Sequence, residues 1–449
     1  MALALVVGGC GSSRVPITAV PVVTTAPPTT AAPIHVDVAV AGCSAPPVTF
    51  ALLCEVSDLL HSYHLNPPTD AALASAALEG LNSYQSDEAE ELPRAITCAV
   101  PAESFVPLCE RVAERMEQEG TPLGPLVESA VYGMLAGTVD PYTVYVPPEL
   151  SGAIGEDGII PGVGMVVAAL TVAGSPCARI EGVCPLRVVT VLGGSPAEQA
   201  GLVAGDEIRA VDGAPVMGRA LIEIAAAING EPGTTVVLDV ARQGTELRLE
   251  LERGAADAIP VSIELIGTTG YIRLPEFGAF THLEFHHLLQ ALIEGGARRL
   301  VLDLRDNPGG YLYSVSIIGS EFFSSGLLYR TQSPAESLDY PAVEGGIATR
   351  LPVIALVNGS SASAAEILAA VLKERGRAVL VGSPTFGKNL VQVPFELHNG
   401  GYLRVTTAEW TTPDGVSVAQ SGVAPDFSVE LGPELTVEEL VEAALAAAG

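Results

Sequence analysis

Lysine is nearly absent from this chain of 449 residues: there are two, Lys373 and Lys388, against 20 arginines. Arginine stays charged in proteins, whereas a desolvated lysine can lose its proton. Because arginine fills almost every position that carries a cation, a remaining lysine is a candidate for a task that needs a neutral amine, such as general base catalysis. Lys373 lies in a polar run and is more simply a chance survivor, so the prediction concerns Lys388.

Basic residues as a group are also scarce. The 22 Lys and Arg side chains are outnumbered by 52 Asp and Glu, which gives a net charge of −30 and an isoelectric point near 4.4. A surface this acidic repels polyanions, which argues against binding to nucleic acid or to anionic membranes. Hydrophobic residues make up 48% of the chain, enough for two or three domains with their own cores.

Beyond the N-terminus, no apolar run reaches the length of a transmembrane helix. Residues 1–13 combine a short apolar run, small residues and Cys10, a lipobox pattern that predicts a signal remnant with lipid attachment at Cys10. The basic residues that normally begin such a signal are missing, and a soluble chain with an incidental apolar start is the alternative. Residues 14–47, rich in Pro, Thr, Ala and Val, predict an extended linker. We expect an extracytoplasmic protein, anchored to a bacterial cell membrane by its lipid or secreted.

None of the seven cysteines lies in a CxxC pair, which argues against a zinc site. The six cysteines beyond Cys10 are an even number behind a secretion signal, and this predicts three disulfides. The predicted pairs are Cys43–Cys54, Cys98–Cys109 and Cys177–Cys184. Cross-bridging between the first two pairs is the alternative, because four cysteines allow three pairings. We predict neither a metal nor a cofactor.

The N-terminal region contains an internal repeat with an offset of about 55 residues. The segments 43–55 and 98–110 each have two cysteines with ten residues between them, and Phe and Leu in register. Each segment precedes a run with helical periodicity, at 70–81 and 126–135. We interpret this as a duplicated helical unit and predict a small α-helical domain over 48–150. Two copies are too few for a solenoid.

From residue 160 to 256 the pattern changes to short β-strands. The apolar runs that predict them are 165–172, 186–192, 207–211, 235–241 and 246–251. Between these runs, the segments 195–201 and 205–213 resemble the short helix and the hairpin of a PDZ domain. The resemblance implies a peptide-binding module in this part of the chain.

A PDZ domain would bind a terminal carboxylate through the backbone amides of one glycine-rich loop, while the peptide adds as an extra strand. The loop that matches consists of Gly162, Val163, Gly164 and Met165. Three apolar residues at helical spacing are candidates to line the groove for the last side chain: Leu221, Ile224 and Ile228. Ordinary core packing is the alternative for these three.

Beyond residue 257, strands and helices alternate as in an α/β core. Three apolar runs, 299–304, 352–357 and 378–381, each end in small or polar residues, and a predicted helix over 364–375 joins the second to the third. Right-handed crossovers make such strands parallel, so their carboxyl ends share one edge of the sheet. Active sites of open α/β sheets collect at that edge. This topology predicts that Ser363 and Lys388 lie close together.

The residue types at this edge suggest nucleophilic catalysis. Ser363, at a helix N-terminus, is the candidate nucleophile, because free amides and the helix dipole there favour negative charge. Lys388 is the candidate base, since desolvation would favour its neutral form. Gln392 could hold the amine, and the amides of Gly309 and Ala364 are predicted to form an oxyanion hole. The alternative is that the serine only caps the helix. The seven histidines lie away from the three strand ends, which argues against a Ser-His-Asp triad.

Roughly residues 125–430 resemble the carboxyl-terminal processing peptidases, also called tail-specific proteases. The segments that carry the resemblance, in family order, are 133–142, 162–164, 195–213, 302–310, 361–366, 385–392, 411–415 and 422–426. The resemblance implies a Ser-Lys endopeptidase in which Gln392 supports the lysine. Ala365 stands where a serine is usual and Asn389 where a small residue is usual. The duplicated N-terminal region lies outside the general pattern.

The predicted fold class is multidomain α+β, with a helical N-terminal domain, a β-rich PDZ-like module and an α/β protease core. The predicted segments are 1–13, 14–47, 48–150, 160–256, a core at 257–432 that includes parts of 125–160, and a C-terminal helix at 433–449. The predicted function is a serine endopeptidase that recognises exposed C-terminal tails of polypeptides and cleaves upstream. The alternative is a catalytically inactive scaffold that uses the PDZ groove, with Asn389 displacing the lysine. We expect the N-terminal region to influence homo-oligomerisation or the choice of partner.

Overall fold

The computed structural model confirms the predicted fold class, a mixed α+β chain with a helical N-terminal region and a sheet-rich core. It describes residues 35–39, 50–84, 95–138, 140, 142–148, 163–169, 180, 182, 184–191, 195–203, 205–219, 224, 227–228, 233–253, 261–278, 280–419, 421–432 and 434–449. None of the helices in these ranges is both long and apolar enough to cross a membrane.

The N-terminal region consists of two equivalent units, each with a strand and a pair of helices. The elements are β1 (His35–Ala39), α1 (Ala51–Tyr63), α2 (Asp70–Ser83), β2 (Ala95–Ala99), α3 (Val106–Glu119) and α4 (Leu123–Ala136), with a 3-10 turn at Glu103–Phe105. The strands β1 and β2 pair in parallel. These five residues lie within 14–47, the segment predicted to be an extended linker. The segment alternates polar and apolar residues, the pattern of a strand.

The helices α2 and α4 approach closely because a glycine lies on each side of their crossing. A Cβ atom on Gly80 would lie 2.6 Å from the Cα of Gly133, and one on Gly133 would lie 2.3 Å from the carbonyl oxygen of Ala76. Only glycine fits at such a separation of the two backbones. The two glycines belong to corresponding helices of the repeat, so the contact supports the interpretation of a duplicated unit.

A domain built from short strands follows the N-terminal region. After β3 (Val144–Val146), the elements of this domain are β4 (Met165–Ala169), β5 (Leu186–Val191), α5 (Pro196–Gln199), β6 (Glu207–Val211), β7 (Ala214–Pro215), β8 (Thr235–Arg242) and β9 (Thr245–Glu252). The sheet order is β4-β5-β6-β8-β9, with β7 paired to β6, whereas β3 belongs to a sheet of the core. Four of the five predicted apolar runs match these strands within one residue at each end. The fifth, 165–172, begins with β4, and its last three residues lie outside the described residues.

The core contains a six-stranded sheet and a smaller antiparallel sheet. Its elements are β10 (Ser262–Ile266), β11 (Thr269–Arg273), α6 (Thr281–Glu294), β12 (Arg299–Asp303), α7 (Leu312–Ser320), β13 (Leu327–Gln332), β14 (Ser337–Pro341), β15 (Val353–Val357), α8 (Ala364–Glu374), β16 (Ala378–Gly382), β17 (Leu390–Glu396), β18 (Tyr402–Thr411), β19 (Phe427–Ser428) and α9 (Val437–Ala448). The larger sheet has the order β10-β11-β12-β15-β16-β19, parallel except for β10. The smaller sheet has the order β14-β13-β18-β17, with β3 paired to β18.

Helices cover both faces of the larger sheet. The helices α6, α7 and α8 pack on one face, and α9 packs its Leu440, Val441 and Ala444 on the other. Nine of the eleven residues of α8 are buried, as expected for a helix that is apolar on all sides. The helix ends before Gly376, whose φ of +60° favours glycine.

The N-terminal helices share an apolar core with the smaller sheet. Leu397, Leu403 and Val405, on or beside β17 and β18, are buried in one cluster with residues of α1, α2, α3 and α4. Leu65, just beyond α1, donates its amide to the carbonyl oxygen of Thr406 at 2.8 Å. The N-terminal region therefore forms a layer of the core and reaches the part of β18 that faces the predicted catalytic residues.

The cysteines lie partly outside the described residues. Cys54 and Cys109 are buried in the N-terminal core. Cys109 and Cys184 are each in a disulfide bond, but neither partner has a described side chain. Cys10, Cys43 and Cys177 lie outside the described residues. The three predicted pairings and the lipid attachment at Cys10 stay predictions.

Candidate active site

The carboxyl ends of β12, β15 and β16 meet at one edge of the larger sheet. All three strands are parallel, with Asp303 opposite Leu356 and Val357 opposite Gly382. The loops that follow carry Gly309, Ser363 and Lys388. The predicted strand–helix–strand unit is therefore present, and it brings the three segments with candidate catalytic residues to the same edge.

Ser363 precedes α8 in an unusual backbone conformation. Its φ of +53° and ψ of −116° lie in a region that residues other than glycine rarely adopt. Strain of this kind costs on the order of 1–3 kcal/mol and is concentrated at functional sites. The amide of Ser363 donates to Oε2 of Glu366 at 2.9 Å, as in a helix capping box. The amide of Ala364, the first helical residue, has no carbonyl one turn earlier to accept from it.

The loop after β15 is held in place by its other polar residues. Ser361 is fully buried, and its Oγ donates to the carbonyl oxygen of Leu304 at 2.7 Å. The amide of Ala362 donates to the carbonyl oxygen of Asn307 at 2.9 Å. These bonds tie the loop after β15 to the loop after β12, so the two halves of the predicted oxyanion hole lie side by side.

Gly309 directly contacts the predicted nucleophile. A Cβ atom at this position, where φ is +103°, would lie 2.8 Å from the Cβ of Ser363 and 3.0 Å from the amide nitrogen of Ala364. The position therefore requires glycine. The amide of Gly309 donates to Oδ1 of Asn307 at 2.8 Å. To serve an oxyanion, it must exchange this acceptor for the substrate oxygen.

Lys388 is only partly accessible, and its amine lies over an aromatic ring. Its Nζ is 4.8 Å from the centroid of the Tyr142 ring. Burial, and then the charge of Arg404, lower the pKa of this amine to about 8 against the opposing influence of Asp140 and Glu366. Among the described residues, no hydrogen bond joins Lys388 Nζ to the hydroxyl of Ser363 or to Gln392. The pKa of the predicted base is therefore lowered toward neutral pH, but its amine is not hydrogen-bonded to its predicted partners.

Gln392 and Asn389 flank the lysine. Gln392 lies opposite Thr406 in the β17–β18 pair and donates from Nε2 to the threonine Oγ1 at 3.4 Å. The role of Gln392 in holding the amine stays a prediction. Asn389 is buried and donates from Nδ2 to Oγ of Ser417 at 3.3 Å. Because this side chain is directed to Ser417, it gives no support to the view that it displaces the lysine.

Glu366 is a residue of this edge to which the sequence assigned no role. The side chain is fully buried in the first turn of α8. Oε2 accepts from the amides of Ser363 and Lys388 at 2.9 and 2.8 Å, and Oε1 accepts from the amide of Gly387 at 2.7 Å and from Oγ1 of Thr385 at 2.6 Å. Burial raises the pKa of this carboxyl, and the four donors oppose the increase. One carboxylate thus joins the backbone of the serine to the backbone of the lysine.

A segment of the N-terminal region completes the surroundings of the lysine. Asp140 accepts hydrogen bonds from Oγ1 of Thr143 at 2.6 Å and from the amide of Tyr142 at 3.0 Å. Its Oδ2 is also 3.3 Å from Nε2 of the buried His64. Burial opposes ionisation of Asp140, but the bonds from His64, Thr143, Thr406 and the Tyr142 amide lower its pKa to about 2. The sequence identified Asp140 and Tyr142 only as part of the family resemblance.

The predicted peptide-binding loop is described in part. Val163 is buried, and its carbonyl oxygen accepts from the amide of Ala197 at 2.8 Å. Gly164 has a φ of +76°, and a Cβ there would lie 2.2 Å from the Cβ of Ser195. Met165 begins β4, whereas Gly162 and Leu221 lie outside the described residues. Ile224 and Ile228 are buried in the apolar core of this unit. The peptide-binding roles of these residues stay predictions.

In the described ranges, no group of three or more His, Cys, Asp or Glu side chains is arranged to hold a metal ion. Asp140 and Glu366, the acidic groups whose charges act on the lysine, both accept hydrogen bonds from donors of the protein.

The sequence and the fold are similar to those of known proteins. The profile of Peptidase family S41 matches residues 268–429, and the profile of the PDZ domain matches residues 187–242. A carboxyl-terminal-processing protease of Synechocystis sp. is 36% identical over 67% of this chain and 70% of that protein. A protein of the same name from Picosynechococcus sp. is 37% identical over 68% of this chain and 73% of that protein. The solved structure of a photosystem II D1 C-terminal processing protease, 24% identical, matches 90% of this chain and 98% of its own with a TM-score of 0.64, which shows that the fold is shared.

Proposed function

Because the chain belongs to peptidase family S41, together with the carboxyl-terminal-processing proteases, we propose that it is a serine endopeptidase with Ser363 as nucleophile and Lys388 as general base. Its substrates are polypeptides selected by their C-terminal tails through the PDZ unit. The observation that carries this proposal is the shared contact of Glu366. Its Oε2 accepts from the amides of both proposed catalytic residues, at 2.9 Å from Ser363 and 2.8 Å from Lys388. The two amide nitrogens are therefore held against the same oxygen atom.

In the proposed reaction, the neutral amine of Lys388 takes the proton from the hydroxyl of Ser363 as the oxygen attacks the scissile carbonyl carbon. Negative charge then develops on the carbonyl oxygen, where the amides of Ala364 and Gly309 donate hydrogen bonds. The ammonium of Lys388 returns its proton to the leaving amine, and the peptide bond breaks. Water then attacks the acyl-enzyme with the same lysine as base, which releases the new carboxylate and restores the serine.

The proposed substrate selection is tested with an unfolded polypeptide that ends in an apolar residue. We expect the purified protein to cleave it upstream of the tail, and amidation of the C-terminal carboxylate to lower kcat/KM by about tenfold to a hundredfold, because a charge-assisted hydrogen bond contributes roughly 1.5–3 kcal/mol. Mass spectrometry of the products gives both the cleavage site and the rate. The absence of any cleavage at pH 8 to 9 would favour the inactive scaffold instead.

A second expectation concerns pH. The pKa of Lys388 lies below that of an ordinary lysine, at about 8, and the base must be neutral to act. Below this pH the amine is protonated, so kcat/KM should rise nearly tenfold per pH unit and level off above pH 8; at pH 7 only about one tenth of the amine is neutral. Initial rates from pH 6 to 10 measure the profile. A rate that does not change with pH would contradict a lysine base.

We further propose that the protein acts outside the cytoplasm and is lipid-anchored at Cys10 or secreted. This proposal is supported by the lipobox pattern of residues 1–13 and by the even number of cysteines that follow it. Mass spectrometry of the N-terminal peptide from membrane-extracted protein tests the anchor, and an unmodified Cys10 would contradict it.

A further inference from the structure

We propose that Tyr142 is a positioning residue for Lys388. The face of its ring holds the protonated amine in a resting arrangement, and loss of the proton releases the amine to bind the hydroxyl of Ser363. The second half of this inference rests on the proposed function, because it takes Lys388 as the base. The first half concerns the contact between ring and ammonium and is independent of catalysis.

The contact itself is the primary observation. Nζ of Lys388 lies 4.8 Å from the centroid of the Tyr142 ring, inside the distance of about 6 Å at which an ammonium is attracted by the negative face of an aromatic ring. Within the part of the chain that the structure describes, Nζ forms no hydrogen bond. A poorly hydrated ammonium without an acceptor is unstable unless other interactions compensate. The ring face supplies such an interaction.

The charged groups around Nζ do not bind the amine in place of the ring. Arg404, on β18, opposes the positive charge, while Asp140, before β3, and Glu366, on α8, favour it. Both carboxylates are already occupied, since Glu366 accepts four hydrogen bonds and Asp140 accepts from Thr143, the amide of Tyr142 and His64. They act on the lysine through space, whereas the ring of Tyr142, among the residues that the structure describes, lies against its amine.

Tyr142 presents a neutral ring. Burial raises the pKa of its hydroxyl, and the nearby charges of Asp140 and Glu366 raise it further. The phenol therefore stays protonated in the pH range where the lysine titrates. The attraction thus depends on the charge of the lysine alone.

The position of the ring is set by the N-terminal region. The amide of Tyr142 donates to Oδ1 of Asp140 at 3.0 Å, and Oδ2 of Asp140 lies 3.3 Å from Nε2 of His64, the residue that follows α1. Immediately after Tyr142, β3 pairs with β18. The ring is therefore fixed from outside the segment that carries the lysine, so the side chain of Lys388 can move relative to it.

The interaction distinguishes the two protonation states of the amine. A ring face attracts an ammonium but has little hold on a neutral amine. Loss of the proton thus removes the resting contact at the same step that makes the lysine a base. The amine that leaves the ring is the form that can accept the proton of Ser363.

The scarcity of lysine makes a direct test possible. Protein labelled with 13C at the ε-carbon of lysine gives two signals, from Lys373 and Lys388, and the variant Lys373→Arg identifies them. Lys373 is exposed to solvent in part and pairs with Asp426 at 3.0 Å, away from the active site. In the wild type we expect the ε-protons of Lys388 to be shifted upfield by the ring and to show a nuclear Overhauser effect to Tyr142 that disappears above the pKa of the lysine.

Two variants of Tyr142 separate the ring face from the hydroxyl. Tyr142→Leu should abolish the upfield shift and lower the pKa of Lys388 by about half a unit to one and a half units, because the ammonium loses its aromatic partner. Tyr142→Phe keeps the ring face and should preserve both. Circular dichroism verifies that the variants are folded, and the Overhauser effect in the wild type does not depend on any substitution.

The outcomes separate this inference from the proposed function. No ring shift in the wild type, or an unchanged Lys388 pKa in a folded Tyr142→Leu protein, would overturn the positioning role. If the pKa falls and the pH–rate profile of cleavage moves down with it, both the positioning role and the lysine base are supported. If the pKa falls while the profile stays in place, the ring contact is supported but Lys388 is not the base, and the release step fails with the proposed function.

Discussion

Replacing Lys388 with arginine is expected to lower kcat by about four orders of magnitude, close to the loss caused by Ser363→Ala. Arginine keeps the positive charge and most of the length of the side chain, but it cannot give up its proton in a protein. It therefore preserves electrostatic interactions while removing the base. The measurement is the cleavage rate of the unfolded substrate at pH 8.5, with far-UV circular dichroism to verify folding.

This chain offers a matched control for that experiment. Lys373→Arg changes the other lysine, whose Nζ donates to the carbonyl oxygen of Ala424 at 2.6 Å, and should leave kcat unchanged. The double variant Ser363→Ala/Lys388→Arg should be no slower than either single variant, because residues that act as a unit show strongly non-additive losses. A Lys388→Arg protein with more than about a tenth of wild-type activity would exclude a lysine base, since arginine cannot act as one.

The second large effect is expected at Glu366, which we predict to be a positioning residue. Glu366→Gln replaces one of the two acceptor oxygens by an amide group that faces donors. Two of the four bonds are then lost, and each buried donor without a partner costs about 1–3 kcal/mol. Because the same bonds position the backbones of Ser363 and Lys388, we expect kcat to fall by about a hundredfold or more, with a clearly lower Tm and little change in KM.

The C-terminal helix provides the control for Glu366. Glu439, in the first turn of α9, accepts from the amide of Thr436 at 2.8 Å and from its Oγ1 at 3.0 Å, and it is exposed to solvent. Glu439→Gln changes a capping box of the same type and should cost less than about 1 kcal/mol with no change in kcat. Wild-type kcat in a folded Glu366→Gln protein would show that the carboxylate does not position the catalytic residues.

The sequence predicted the elements at the active-site edge well, because their signals are local. The helix predicted over 364–375 occurs as Ala364–Glu374, and the strand predicted over 378–381 occurs as Ala378–Gly382. Long apolar runs with small residues at their ends specify such elements without reference to the rest of the chain. The parallel direction of the strands followed from the handedness of the connection.

The residues that the sequence did not assign depend on contacts between distant segments. The importance of Glu366 arises from donors in the loop 385–388, which no helical pattern reveals, because a glutamate three residues after a serine is a common capping signal. The sequence did contain one usable signal, a glutamate within the otherwise apolar run 364–372. Tyr142 and His64 contribute only because the N-terminal layer folds back onto β18, and neither has a chemical signature of its own.

The shared core of the N-terminal helices and β18 has a practical consequence for work with shortened proteins. A fragment that begins near residue 155 would lack β3, Asp140 and Tyr142, and it would expose the side chains of Leu403 and Val405 to water. Such a fragment is expected to aggregate through that uncovered surface and to have an altered environment around Lys388. Its loss of activity would reflect an incomplete protease, so point substitutions are the appropriate way to ask what the duplicated helices regulate.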